Sequence, residues 1–348
     1  MKVLLTGSAG FIGSEIAHQL ARRGHEVTGV DAMIAQAHAT GSRPPTGTHV
    51  LDVRDGAALE RLLNGVDVVC HQAALVGNGV DAQDLPRFAT HNDHATAVVL
   101  AAMSRVGIDR LVLASSMVVY GDGGFVCEQH GTVEAPPRRK KDLEAGMFDP
   151  RCPRCDQPLA WTKVSEDAAF RPRSSYAASK VAQEHYAGAW CILEAARCLA
   201  LRYHNVYGPH MPADTPYAGV AAIFRSALER GEAPGVYEDG QQMRDFVHVR
   251  DVAAANVAAI ELVGAHPVGV TPYNICSGRP FTIGQMADVV ASAYGGAEPV
   301  STGEFRVADV RHVVADPARA RHGLGFRASV APEQGLAELA TAPLRATR

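Results

Sequence analysis

A chain of 348 residues, 47% hydrophobic and 20% charged, has the composition of a globular protein with a sizeable core, which excludes a disordered or fibrous chain. Its formal charge of -4 offers no basic footprint for a phosphate backbone, and no apolar run approaches the roughly 18 residues that cross a bilayer, so neither nucleic acid nor membrane is an expected partner. The run Arg138, Arg139, Lys140, Lys141 is expected as a solvated loop. The first residues enter a strand without a charged leader or apolar signal core, and seven cysteines, an odd number, suit reduced thiols; the expectation is a cytoplasmic protein.

In chain order, Lys2 to Thr6 is a short apolar run ended by glycine, and residues 11–23 carry Ile12, Ile16, Ala17 and Leu20 at helical spacing. This is strand, turn, helix. Further strands are predicted at 26–31, 66–71 and 110–115, with helices at 56–63 and 95–106 between them. Such alternation implies an α/β fold with a parallel sheet and right-handed crossovers. Residues 121–170, rich in Pro, Gly, charge and Cys, break the rhythm and read as an insertion. A helix over 174–194 and a strand over 198–203 follow, and then shorter mixed elements that suit a smaller substrate-covering part.

The turn after the first strand reads Gly7, Ser8, Ala9, Gly10, Phe11, Ile12, Gly13. Glycines there let the backbone approach a pyrophosphate, whose charge sits on the free amides at the helix start. Asp31, closing the second strand, can accept both ribose hydroxyls of an adenosine and would repel a 2′-phosphate, so NAD is expected rather than NADP. Tyr176 and Lys180 lie one helical turn apart, so phenol and ammonium share a face and the cation favours phenolate. A tyrosine so placed can exchange a proton with a sugar hydroxyl while hydride moves to or from the cofactor.

With Ser115, Ser116 and then Met117 to Gly121 ending a strand, a family resemblance emerges. TGSAGFIG at 6–13, HQAA at 71–74, SSMVVYG at 115–121, YAASK at 176–180, RYHNVYGP at 202–209 and RDFVHVRDV at 244–252 match, in order, the extended short-chain dehydrogenase/reductases, the NAD-dependent epimerase/dehydratase group. The resemblance implies a Rossmann-type doubly wound parallel sheet over 1–205, carrying the insertion, and a mainly substrate-binding part over 206–348, with 241–275 returning to the core. It implies Ser116, Tyr176 and Lys180 as the catalytic residues. Cofactor contacts would come from Gly7, Ala9, Gly10, Phe11, Ile12, Gly13, Asp31, Asp52, Val53, Ala73, Ala74, Ser115, Tyr203 and His204. Asn205, Arg244 and Arg306 resemble contacts to the diphosphate of a nucleotide-linked sugar, and Tyr217 is a candidate beside sugar or base. For Arg244 a salt bridge with Asp245 or Asp251 is the alternative.

Dehydratases of this group place Asp and Glu after the serine, and decarboxylases a Glu; Met117 and Val118 stand there instead. The resemblance therefore favours a 4-epimerase, with a dTDP-L-rhamnose type of substrate suggested by residues 214–234; a 4-ketoreductase and a non-catalytic NAD-binding sensor are the alternatives. It also implies a homodimer, paired through the helices at 95–106 and 174–194. Finally, Cys127 and His130, then Cys152 and Cys155, form two knuckles with the spacing of a structural zinc site; surface thiols and a redox CxxC are the alternatives.

Overall fold

The structure is a computed structural model that describes residues 1–35, 37–39, 41–77, 82–213, 219–307 and 309–345. Seven parallel strands build the central sheet: β1 (Lys2–Thr6), β2 (Glu26–Asp31), β3 (Thr48–Val50), β4 (Val68–His71), β5 (Arg110–Ser116), β6 (Arg197–Tyr203) and β7 (Gly269–Ile275). Their order is β7-β6-β5-β4-β1-β2-β3. The chain steps outward from β1 to β3, then crosses over β1 and continues outward from β4. That reversal opens a crevice beyond the carboxyl ends of β1 and β4, the place where such sheets bind ligands.

Alternate residues of each strand feed two cores, because successive side chains of a strand point to opposite faces. Val3 and Leu5 pack with Val112 and Leu199 against Ile16 and Leu20 of α1 (Phe11–Arg22) and Val252 and Ile260 of a later helix, 249–262. Leu4, Val69, Leu111 and Leu113 face the other way, against α2 (Gly56–Leu63), α3 (Ala95–Val106) and α4 (Ser175–Glu194). Burial on both faces is why these strands read as unbroken apolar runs. Local signals set the helix ends. The Ser174 hydroxyl accepts from the Ala177 amide at the start of α4, and Gly107 takes a left-handed φ of 77° to end α3.

The smaller part has its own core, where Tyr207, Phe224, Phe246, Met286, Leu336 and Leu339 meet. Met243–His248 pairs there with Asn205–Tyr207 and Pro280–Thr282. Of the segment expected back in the central body, residues 249–262 and β7 lie there, whereas Met243–His248 stays in this second sheet.

Within the insertion, Gly124–Cys127 pairs antiparallel with both Gly131–Val133 and Ala160–Thr162. The basic run departs from a solvated loop at Arg138, whose side chain is buried and donates to Glu238 at 2.7 Å. A run of charge cannot reveal a partner 100 residues away. Lys140 and Lys141 are exposed as expected. All seven cysteines are free thiols, and Cys70, Cys191, Cys198 and Cys276 are buried in apolar elements. Among the described residues no helix is long and apolar enough to cross a membrane.

Candidate active site

A cavity of about 340 Å³ occupies the crevice at the switch point, lined by the glycine turn, Asp31, Asp52, Val53, Ala73, Ala74, Tyr176, Lys180 and Tyr203. The turn is shaped for close approach. Gly7 has φ 67°, and a Cβ there would stand 2.8 Å from the Ala73 amide nitrogen; one on Gly13 would overlap the Gly7 carbonyl. Helix α1 begins directly after Gly10 with no side-chain cap, so its first amides remain for an anion. Asp31 is buried and accepts from the amides of Ala9 (3.0 Å) and Met33 (2.9 Å), with His38 Nε2 at 3.3 Å. Burial opposes its charge, but the His38 and amide bonds prevail and hold its pKa below the usual value. A charged carboxylate at the end of β2 and a bare cradle at the start of α1 fit the adenosine ribose and pyrophosphate of NAD.

The other expected cofactor residues fall into different settings. Phe11 and Ile12 line the cavity, while Ala9 has its amide on Asp31. The Asp52 carboxylate takes Arg54 Nε at 2.9 Å, and Asp52, Val53 and Arg54 all line the cavity. Ser115 turns its hydroxyl inward to Glu184, which also binds Arg202 through two bonds. Tyr203 donates to Gln72 and Asn256. His204 is buried with neither ring nitrogen paired among the described residues, and desolvation, with Arg244 nearby, pushes its pKa down to about 3.

Tyr176 and Lys180 lie on one face of α4, with Lys180 Nζ 5.7 Å from the tyrosine ring centre. Burial pushes the phenol up to about 12, against a hydrogen bond with Ser116 that lowers it. Lys180 is 2% exposed; burial lowers its pKa to about 7, opposed by Glu184 and Asp93, and its ammonium donates to the Ala114 carbonyl at 2.7 Å. Ser116 thus ends β5 beside the phenol, while Lys180 is pinned under the same strand end.

Sequence reasoning missed the segment that backs this pair. Residues Ala89–His94 form a π-helical turn ahead of α3, a rare geometry that gathers at functional sites. It turns Asn92 inward, where its side chain bonds both backbone groups of Leu75 and the Ser179 hydroxyl. It also sets Asp93 near Lys180, with one carboxyl oxygen buried and without a partner among the described residues and its pKa raised by burial to about 6. The polar run His91, Asn92, Asp93, His94 inside a helical stretch was the available signal.

On the substrate side, Arg244 makes no ion pair with Asp245 or Asp251. Those carboxylates are taken by Ser277 and Gly278, and by Ser329 and Val330. Its guanidinium donates instead to the carbonyls of Met243, Val310 and Arg311 at 2.7–2.9 Å, with no ion pair to a carboxylate among the described residues. Arg306 is exposed and stacks on Tyr237, and Asn205 Oδ1 is buried without a partner among the described residues. Tyr217 lies outside the described residues.

Away from the crevice, the donor atoms of Cys127, His130, Cys152 and Cys155 lie within 4.8 Å of one another.

A switch-point crevice with a glycine cradle and a neighbouring Ser, Tyr, Lys group defines a dinucleotide-dependent enzyme of the short-chain dehydrogenase type. The chain matches the model of the NAD dependent epimerase/dehydratase family over residues 3–142 and 153–276, and it belongs to that family. The stretch left unmatched between those spans ends on Cys152. It is 35% identical to a dTDP-L-rhamnose 4-epimerase from Burkholderia thailandensis, over 98% of this chain and 94% of that one. A UDP-glucose 4-epimerase from Mycolicibacterium smegmatis is 29% identical, over 97% of each. Among solved structures, the Thermus thermophilus UDP-glucose 4-epimerase in complex with NAD superposes with a TM-score of 0.76, at 29% identity over 98% of each chain.

Proposed function

We propose that the protein is a nucleotide-sugar 4-epimerase acting on a dTDP- or UDP-linked hexose, with dTDP-L-rhamnose and its 4-epimer dTDP-6-deoxy-L-talose the favoured pair. One observation carries the reading: Tyr176 and Lys180 line the crevice that the glycine turn also lines, Ser116 hydrogen-bonds the Tyr176 phenol, and the residues after that serine, Met117 and Val118, cannot ionise. NAD bound in that crevice supplies a hydride acceptor and donor. The Ser116 hydroxyl holds the sugar O4, and Tyr176 takes the O4 proton as hydride leaves C4 and returns it when hydride comes back. Lys180 favours the phenolate through its charge. Elimination of water or loss of carboxylate would need a second acid or base, and Met117 and Val118 supply neither.

Arg244, whose guanidinium is oriented by three backbone carbonyls, suits the substrate diphosphate, and Asn205 and Arg306 are assigned beside it. Relatives named for dTDP-L-rhamnose and for UDP-glucose support the substrate class, and the 35% identity favours the former. Free thiols throughout suit a reducing cytoplasm, and the exposed Tyr186, Ile192 and Leu193 along α4 suit a homodimer. Zinc at Cys127, His130, Cys152 and Cys155 would have no step in the reaction, since four protein ligands leave no position for substrate.

The test is a panel of dTDP- and UDP-sugars incubated with enzyme and no added nucleotide cofactor, read by chromatography. Interconversion of a 4-epimeric pair is expected, with no net formation of reduced nicotinamide and with NAD released on denaturation. Turnover only with stoichiometric NADH would make the protein a ketoreductase and sink the proposal.

A further inference from the structure

We propose that Cys127, His130, Cys152 and Cys155 bind one structural zinc ion, which fixes the insertion as a buttress behind the substrate wall; only the buttress rests on the 4-epimerase reading. The ligands come from two opposed turns. The first is the hairpin of Gly124–Cys127 with Gly131–Val133, in which Cys127 pairs with Gly131 and His130 sits in the turn. In the second, the Cys152 amide donates to the Gln157 carbonyl and the Leu159 amide to the Pro150 carbonyl, closing a tight loop around Cys152 and Cys155. The Arg154 amide points at Cys152 Sγ at 3.5 Å, the kind of N–H···S contact that supports a thiolate ligand.

Distances decide between the occupants. His130 Nδ1 lies 3.4 Å from Cys127 Sγ and 3.5 Å from Cys152 Sγ, and Cys127 Sγ lies 3.6 Å from Cys155 Sγ. A tetrahedral ion with bonds of about 2.3 Å to sulfur and about 2.0 Å to nitrogen sets its ligand atoms roughly 3.5–3.8 Å apart. A disulfide would need sulfurs at about 2.05 Å. Three thiolates and an imidazole in that shape select zinc among common divalent ions. The insertion also needs such a staple. Its core is Phe125, Cys127, Ala135, Cys152 and Leu159, and two of those five are ligands. So small an apolar cluster does not hold a loop-rich segment without a cross-link.

The buttress follows from what the insertion touches. Asp149 accepts from Arg311 Nε at 2.8 Å and His312 Nε2 at 3.1 Å, and Phe125 packs edge-on to His312 at 6.1 Å. Arg138 reaches Glu238 and the Asp309 carbonyl, both at 2.7 Å. The carbonyls of Val310 and Arg311 are in turn two of the three that orient Arg244. A path of direct contacts therefore joins the four ligands to the arginine assigned to the substrate diphosphate. None of it passes through the NAD turn.

Metal analysis of enzyme made in zinc-supplemented cells and purified under reducing conditions tests the site whatever the sugar proves to be. One zinc per chain is expected, lost in both Cys152→Ser and Cys155→Ser, and cobalt(II) substitution should give the visible bands of a tetrahedral thiolate centre. Protein with no zinc and no cobalt uptake would overturn the site. For the buttress, chelator-stripped holoenzyme should keep its NAD and kcat while KM rises about 3- to 30-fold, the reach of coupling through packed contacts, and adding zinc back should restore it. A KM unmoved by removal of bound zinc would overturn the buttress and leave the ion a local staple.

Discussion

The proposed mechanism gives the proton transfer to Tyr176, and the surroundings of that residue set how well it can serve. Burial holds the phenol near 12 even against its hydrogen bond with Ser116, far from a useful base at neutral pH, so positive charge beside it, from the Lys180 cation and the oxidised nicotinamide, must bring it down. Tyr176→Phe should keep its fold and bound NAD and lose about 10²- to 10⁴-fold in kcat, the range of a lost acid/base; unchanged turnover in a direct assay would remove the phenol from the mechanism. Lys180→Met has a distinct signature. A cation favours phenolate, so its loss raises the tyrosine pKa and moves the rising limb of the kcat profile toward alkaline pH. A profile that falls in height without shifting would contradict that role.

At the scale of elements, the crevice depends on two backbone features. The first is the glycine turn, where any Cβ on Gly13 meets the Gly7 carbonyl. Gly13→Ala forces the turn open at a cost of about 1–3 kcal/mol, roughly 5- to 150-fold in affinity, and the purified variant should be largely depleted of NAD by released-nucleotide analysis. Full occupancy would show that the cofactor does not press on this turn. The second is the π-helical turn Ala89–His94, which apolar periodicity could not reveal, because one extra residue per turn leaves the apolar positions of α3 intact. Strand, turn and helix around Gly7 and the Tyr176/Lys180 spacing were legible, since both are local. Long-range partnerships were not: the inward turn of Ser115 to Glu184, the carbonyl cage of Arg244 and the burial of Arg138 on Glu238 each join residues 65 or more apart. Local pattern carries no information about such pairs. The cysteine spacing lies between, since two knuckles could be read but their convergence could not.

For the whole molecule, one sheet reversal places the cofactor crevice, and a separate sheet around Met243–His248 carries Arg244, the residue proposed for the substrate diphosphate. Outside that arrangement, Tyr186, Ile192 and Leu193 are exposed on α4, Ile192 by 82%, while the opposite side of the helix is core. Apolar side chains gathered on an outer helix face suit a paired copy. The unmodified protein should sediment as a dimer and the double variant Tyr186→Arg, Leu193→Arg as a monomer; a dimer that persists in the variant would place the interface elsewhere.

The central claim is that hydride leaves C4 of the sugar and returns to the same carbon without leaving the enzyme. Turnover of a C4-deuterated substrate in ordinary water, followed by mass spectrometry of the 4-epimer, tests it most directly. The account predicts deuterium retained at C4 with no cofactor added. Product that has lost the label to solvent would contradict it.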